Sequence, residues 1–279
     1  MAGLELDYLV PPTDLQPYVG LFYRFAVPGR IDELERATRA QLRFRLTPGL
    51  TRYSFPDGSA QDAPPIHLLG PTTGPTLLSV DGPAVAFGMG LEPAGWAALI
   101  GGGASALVNR CVDATALLGE GAAEAMVGLR NAKDCAGMVA AIEPWLRNRL
   151  ASKRDGTRDF VRAVDDWLAG AASPVLDDLV AVTGLSRRQV ERRCNALYGA
   201  PPKLLARKTR ALRAAVTLAN GGDPELDGFY DQSHMIREVK HFTGRTPRQM
   251  REEPGGLAQL TIHHRRALEG QVAPLISRT

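Results

Sequence analysis

The sequence predicts an α+β chain: a β-rich N-terminal half with trailing helices, then an all-α C-terminal half. Three observations carry this reading. Residues 1 to about 98 break into short apolar or alternating runs separated by Gly and Pro, the pattern of a small barrel or sandwich. From Phe160 onward, apolar residues recur at helical spacing. Ser186–Arg213 holds nine Lys or Arg (Arg187, Arg188, Arg192, Arg193, Lys203, Arg207, Lys208, Arg210, Arg213) against the one acid Glu191, a local charge of +8 (9 − 1) in a chain whose net charge is +3.

At 279 residues the chain is long enough for two domains, and 44% hydrophobic residues make a buried core feasible. The 29 Gly and 20 Pro point to many loops. Cys111, Cys135 and Cys194 are widely spaced with no CxxC, which argues against a disulfide framework or a Cys-rich zinc site and fits a reducing compartment. No apolar run approaches the roughly 18–20 residues of a membrane span. The opening MAGLELDYLVPP lacks a basic segment followed by a long apolar core, so no signal peptide and a cytoplasmic location are expected.

In chain order, Leu15–Ala26 is aromatic-rich and expected to include a strand. Gln41–Leu46, QLRFRL, alternates polar and apolar residues as a half-buried strand does. Arg52–Phe55 leads into a Pro56-Asp57-Gly58 turn, and Ile66–Leu69, Thr76–Val80 and Val85–Met89 are further short apolar runs. Helices are expected at Trp96–Ile100, Ala114–Leu118, Ala123–Leu129 and Met138–Leu150. His67 is the one His in this half, so it reads as a packed or hydrogen-bonded core residue, and no metal site is expected. Gly101-Gly102-Gly103 lacks the spacing and the Lys of a phosphate loop and reads as a connection. No G-x-S-x-G, H-E-x-x-H or carboxylate pair suggests an enzyme, and no cofactor is expected.

The expected division is a β-rich sensor or dimerisation domain over 1–150, a linker over 151–159, a helical domain over 160–254 and a tail over 255–279. Phe160, Val161, Val164, Trp167 and Leu168 line one face of the first C-terminal helix. Leu176–Thr183 is a short helix joined through Gly184-Leu185 to a second one capped by Ser186. In that second helix Val190, Cys194, Leu197 and Tyr198 form a buried stripe. Arg188, Gln189, Arg192 and Asn195 point the other way, flanked by Arg187 and Arg193. A disordered basic arm would lack this periodicity. Helix, tight turn and basic amphipathic helix make a helix-turn-helix, whose second helix fits the major groove. An arginine-rich solvated face on an ordinary helical hairpin is the plainer alternative. Along the next helix, Lys203–Ala219, the side chains of Lys203, Arg207, Lys208 and Arg210 are either phosphate contacts or solvated charge.

A second stretch, FYDQSHMIREVKHFTGRTPRQ (Phe229–Gln249), resembles the end of the DNA-binding domain of AraC/XylS-type transcription regulators. LVAVTGLSRRQVERRCNALYGAPPK is similar to the first helix-turn-helix of that family, and the resemblance covers roughly Leu168 to Arg251. It implies two helix-turn-helix units and double-stranded DNA as partner, with RNA polymerase as a further one. It also implies a second reader helix presenting Gln232, Ser233, His234, Arg237, Lys240 and His241. In outline only, the first half resembles the cupin-like effector half of such proteins, which implies a small-molecule effector, homodimerisation or both.

The chain departs from the family between Gly222 and Phe229, where only Asp223-Pro224-Glu225-Leu226-Asp227-Gly228 stand. The family usually has about four residues more, which build the support helix of the second unit. Proline and the acids make this piece poorly helical, so that helix is expected to be one turn or absent. Met235 and Val239 stand where larger aromatics are common, Cys194 where an aromatic is usual, and Val180 where an Ala is usual. The first unit is therefore expected to dominate base reading. A regulator-derived protein that binds DNA weakly and acts through a partner or effector is the second reading.

Overall fold

The computed structural model describes residues 3–119, 121–151 and 156–252. Four of the nine expected linker residues, 152–155, and the whole of the 255–279 tail lie outside the described residues.

Among the described residues, ten strands build the N-terminal half: β1 Glu5–Leu9, β2 Val19–Val27, β3 Ile31–Glu35, β4 Gln41–Arg45, β5 Thr51–Ser54, β6 Ala60–Asp62, β7 Ile66–Leu69, β8 Thr76–Val80, β9 Ala84–Leu91 and β10 Cys111–Asp113. They form a six-stranded sheet in the order β1-β2-β9-β4-β7-β10 and a four-stranded sheet in the order β3-β8-β5-β6. Every pairing is antiparallel.

The six-stranded sheet is covered on both faces, and β4 shows how. Its two-residue period sends Leu42 and Phe44 to one side, into a core shared with the trailing helices. Gln41, Arg43 and Arg45 go to the other side and line the lumen between the sheets. That lumen also holds an apolar cluster including Phe25, Tyr53, Phe55, Leu69, Leu78 and Val80. The alternation of QLRFRL thus marks a strand as expected, but its polar face looks inward.

The helices that cover the outer face are the single turn α1 Pro93–Gly95, continued as a π-helical turn Trp96–Ile100, then α2 Thr115–Leu118, α3 Gly121–Asn131 and α4 Cys135–Ala151. Trp96, Leu118, Leu129, Ile142 and Leu146 are among the large side chains they bury. Four strands escaped the sequence reading for physical reasons. β1 and β3 carry acids at alternate or adjacent positions, and β6 and β10 are three residues long.

The C-terminal half is helical: α5 Arg158–Gly170, α6 Leu176–Thr183, α7 Arg187–Tyr198, α8 Pro202–Ala219, α9 Gln232–Thr243 and α10 Pro247–Glu252. One core joins α5, α6 and α7 through Phe160, Val164, Leu168, Leu179, Val190, Cys194 and Tyr198. A smaller one joins α8, α9 and α10 through Ala214, Ala215, Leu218, Met235, Val239 and Met250. Between α8 and α9 there is no helix, so the shortened 223–228 segment has lost the support helix entirely.

The halves meet along a buried seam. Arg39 of the barrel pairs with Glu92 and, at 3.1 Å, with Asp165 of α5, and its guanidinium lies 5.3 Å from the centre of the Tyr198 ring. Arg158 donates to the Tyr18 hydroxyl at 2.8 Å. Ala37 packs with Ala211, Leu212 and Phe242, and its N–H donates to the Phe242 carbonyl at 2.8 Å.

Candidate nucleic-acid interface

The first helix-turn-helix is built at each joint by local chemistry. α6 ends at Gly184, whose φ of 64° is the left-handed conformation that costs a side-chain residue energy. Ser186 then caps α7 through a full capping box: its hydroxyl accepts from the Gln189 N–H, and the Gln189 side chain accepts from the Ser186 N–H at 2.9 Å. Val190, Cys194 and Tyr198 are buried, which fixes the helix rotation. Burial pushes the Cys194 thiol up to about 12, so it is an inert packing residue.

That rotation leaves Ser186, Arg187, Arg188, Gln189, Arg192 and Arg193 exposed. Arg187 pairs with Asp177 at 2.6 Å, but both side chains are mostly in solvent, so phosphate competes easily for the guanidinium. The Arg193 guanidinium lies 5.4 Å from the centre of the Phe160 ring. Asn195 is half-buried and its amide donates to the Glu191 carbonyl of its own helix at 2.9 Å, so it stands off the exposed flank.

The second reader, α9, is capped by Asp231, which accepts from the His234 N–H at 2.6 Å. Gln232, Ser233, Arg237, Lys240 and His241 are exposed. His234 is not presented in the same way: it is half-buried, accepts from the Tyr230 N–H at 3.1 Å and sits edge-on to Phe229. Tyr230, just before α9, is 93% exposed and adds an aromatic face the sequence reading passed over. The helix rests on α8 through an ion pair between buried Glu238 and half-buried Arg207. Glu238 accepts from Arg207 Nε at 2.9 Å and Nη2 at 2.7 Å. Burial raises the Glu238 pKa, but the Arg207 hydrogen bonds and charge outweigh it and hold it below the ordinary value.

The four side chains expected to touch phosphate from the start of α8 divide one against three. Lys203 is exposed. Arg207 is tied to Glu238. Lys208 is turned into the seam, donating to the Thr38 carbonyl at 2.7 Å and the Thr72 carbonyl at 3.4 Å. Burial, and then the charges of Arg39 and Arg36, bring its pKa down to about 7. Arg210 lies over the Phe229 ring at 5.0 Å and donates to Ser173 at 3.3 Å. The expectation is corrected accordingly: in this conformation Arg207, Lys208 and Arg210 serve packing, because α8 is a central helix with neighbours on most sides.

A second site lies in the barrel, where a cavity of about 150 Å³ opens in the lumen. Arg43 is its hub: Nε donates to the Tyr23 hydroxyl at 2.7 Å, Nη1 to the Tyr53 hydroxyl at 2.6 Å, and Nη2 to Glu35 at 2.8 Å and Gln41 at 2.7 Å. Burial opposes its charge, but Glu35, Tyr23 and Tyr53 raise its pKa well above the ordinary value. Tyr23 fits because β9 carries Gly88 opposite it, where a Cβ would stand 2.2 Å from the ring. His67 Nε2 is 3.1 Å from the Tyr53 hydroxyl and Nδ1 is 2.8 Å from the Pro64 carbonyl. Burial and then Arg43 push the His67 pKa down to about 3, so the ring is neutral, donating from Nδ1 and accepting at Nε2. Sequence reading missed this network because β4 looked like a strand with one wet face.

The fold and the exposed α7 together define a two-part protein: a β-barrel docked on a helix-turn-helix module. Residues 179–253 match the helix-turn-helix domain family. No curated protein sequence matches the chain. Among solved structures, ToxT from Vibrio cholerae O395 is similar at 8% identity, covering 91% of this chain and 100% of that one with a TM-score of 0.44. The AraC-like transcriptional activator CuxR is similar at 12% identity over 94% of this chain and 85% of that one, with a TM-score of 0.25. A cupin domain from Bordetella pertussis Tohama I is similar at 11% identity over 32% of this chain and 94% of that one, with a TM-score of 0.22.

Proposed function

We propose that the chain is a sequence-specific transcription regulator that reads duplex DNA chiefly through α7. One observation carries this: a helix locked in rotation by Val190, Cys194 and Tyr198 presents Arg187, Arg188, Gln189, Arg192 and Arg193 together on an open flank. Arginine suits that place because its fork meets guanine O6/N7 or a phosphate with two parallel hydrogen bonds. α9 adds Arg237, Lys240 and His241, mainly as backbone contacts, and Lys203 supports them. The barrel is the effector half, taking a small molecule in its lumen or pairing two copies of the chain.

The test is binding to promoter fragments from the protein's own genomic neighbourhood over a range of ionic strength. The reading expects affinity that falls steeply with salt, since each neutralised phosphate releases counterions. Indifference to every duplex at low ionic strength would remove it. A second reading has its own support: with α9 short of its support helix and Arg207, Lys208 and Arg210 turned inward, the chain binds DNA weakly and acts through a protein partner. That reading expects a shallow salt slope and little preference among sequences.

A further inference from the structure

Two large hydrophobic side chains, Tyr230 and Ile236, stand exposed at the start of the second reader. Ile236 lies on the open face of α9. At about 100° per residue Gln232, Ser233, Ile236, Arg237 and Lys240 share that face, and all five are exposed. Met235, Val239 and Phe242 fill the opposite side, so the core beneath α9 is complete without Ile236.

Tyr230 is turned outward for a local reason. A hydrophobic residue just before an N-cap commonly folds back onto the fourth helical residue. Here the anchoring is done one position earlier. Phe229 lies under the Arg210 guanidinium at 5.0 Å and edge-on to His234 at 5.8 Å. Gly228, at a φ of 79°, brings the chain so close to α8 that a Cβ would stand 2.9 Å from Arg210 Cδ. The Tyr230 N–H then donates to His234 Nδ1 at 3.1 Å. The backbone of Tyr230 is pinned while its ring is left in solvent.

Single apolar side chains on a surface need no explanation. These two stand on a face that is otherwise polar and basic. The sole acid of α9, Glu238, is buried against Arg207, and Asp231 is engaged in the cap. A protein partner that covered Ile236 would also have to desolvate Arg237 and Lys240 beside it. A duplex accepts both kinds of group at once. Its phosphates take the cations, and in the major groove the 5-methyl of thymine takes an apolar side chain. Among the four bases thymine alone offers that methyl.

We propose that α9 reads thymine, with Ile236 and Tyr230 packing on the 5-methyl groups of one or two thymines while Arg237 and Lys240 hold the backbone. This rests on the chain binding duplex DNA, and it gives the two readers different chemistries: guanine edges for the arginines of α7, methyl groups for α9.

The test removes methyl groups one at a time. In a duplex selected from a random pool by the full chain, each thymine is replaced in turn by deoxyuridine, which pairs in the same way and lacks only the 5-methyl. One or two replacements are expected to weaken binding about fourfold each, the worth of burying one methyl group. In Ile236→Ala or Tyr230→Ala the same replacements are expected to cost nothing, although both variants should melt like the parent because the side chains are exposed. A merely structural side chain would shift the melting temperature and leave the uracil penalty intact. Uracil tolerated at every position, or a penalty that persists in both variants, overturns the inference. Uracil tolerance together with parent-like affinity in both variants would assign the patch to a protein partner instead. A chain that binds duplex but ignores the methyl groups sinks this inference alone, whereas a chain that selects no duplex removes the regulator reading and this inference together.

Discussion

The two reader helices are made of similar amounts of chain and are held in different ways. α7 leans on α5 and α6, which precede it, and a Gly184 turn and a capping box fix its start. α9 has no short support helix between it and α8. It rests on α8, on α10 and on the barrel segment around Ala37. The comparison teaches that both readers touch the barrel half but at different places: α7 at its end, where Tyr198 meets Arg39 and Gly199 meets Pro71 and Val108, and α9 at its own end, where Phe242 meets Ala37. The start of α7, where the exposed arginines stand, is fixed by its capping box and by α5 and α6, whereas the start of α9 has only the Asp231 cap and α8 behind it.

Four experiments sharpen or break that contrast, in falling order of effect. Leu179→Ala, in the enclosed centre of the first unit, should cost about 2–5 kcal/mol of stability by chemical denaturation. Met235→Ala, in the smaller cluster under α9, should fall at the low end of that range, and a reversal of the two would mean that α9 is the better-scaffolded helix. Arg188→Ala should cost about 1–3 kcal/mol in operator affinity, the worth of an arginine–guanine contact. Arg237→Ala should cost less, and a larger loss from Arg237→Ala would overturn the ranking. Removing the caps, Ser186→Ala or Asp231→Ala, should each cost about 1 kcal/mol by thermal melting. Equal effects would show that the difference between the readers lies in their supports and not in their first turns.

The fourth concerns the seam. Lys208 has its pKa brought down to about 7 where it meets Thr38 and Thr72, against an ordinary value of 10.5. Between those values the undocked lysine binds more protons than the docked one. Docking should therefore strengthen as pH rises from about 7 toward 10.5 and be flat below 7. Limited proteolysis of the domain boundary over this window checks it, and Lys208→Met should abolish the slope.

Much of the C-terminal half was legible from sequence because each signal is local. The bounds of α6 follow from an apolar period closed by Gly184, and the start of α7 follows from Ser186 three residues before Gln189. The loss of the second support helix followed from counting residues between Gly222 and Phe229 and noting Pro224. What stayed hidden depends on distant partners. The face of β4 carrying Gln41, Arg43 and Arg45 looks solvent-bound in sequence, and only closure of the second sheet turns it inward. Arg207, Lys208 and Arg210 look like a phosphate comb, and only the presence of Glu238, the Thr38 carbonyl and Phe229 shows otherwise. Charge tells the sequence reader that a partner is needed without telling which side of the protein supplies it.

The most direct test of a dominant first reader is selection of bound duplexes from a random pool by the purified chain. The account predicts one strongly defined box, lost in Arg188→Ala, beside a weakly defined or absent second box that Arg237→Ala barely alters. Two boxes of equal definition about one helical turn apart, or a box that survives Arg188→Ala, would contradict it.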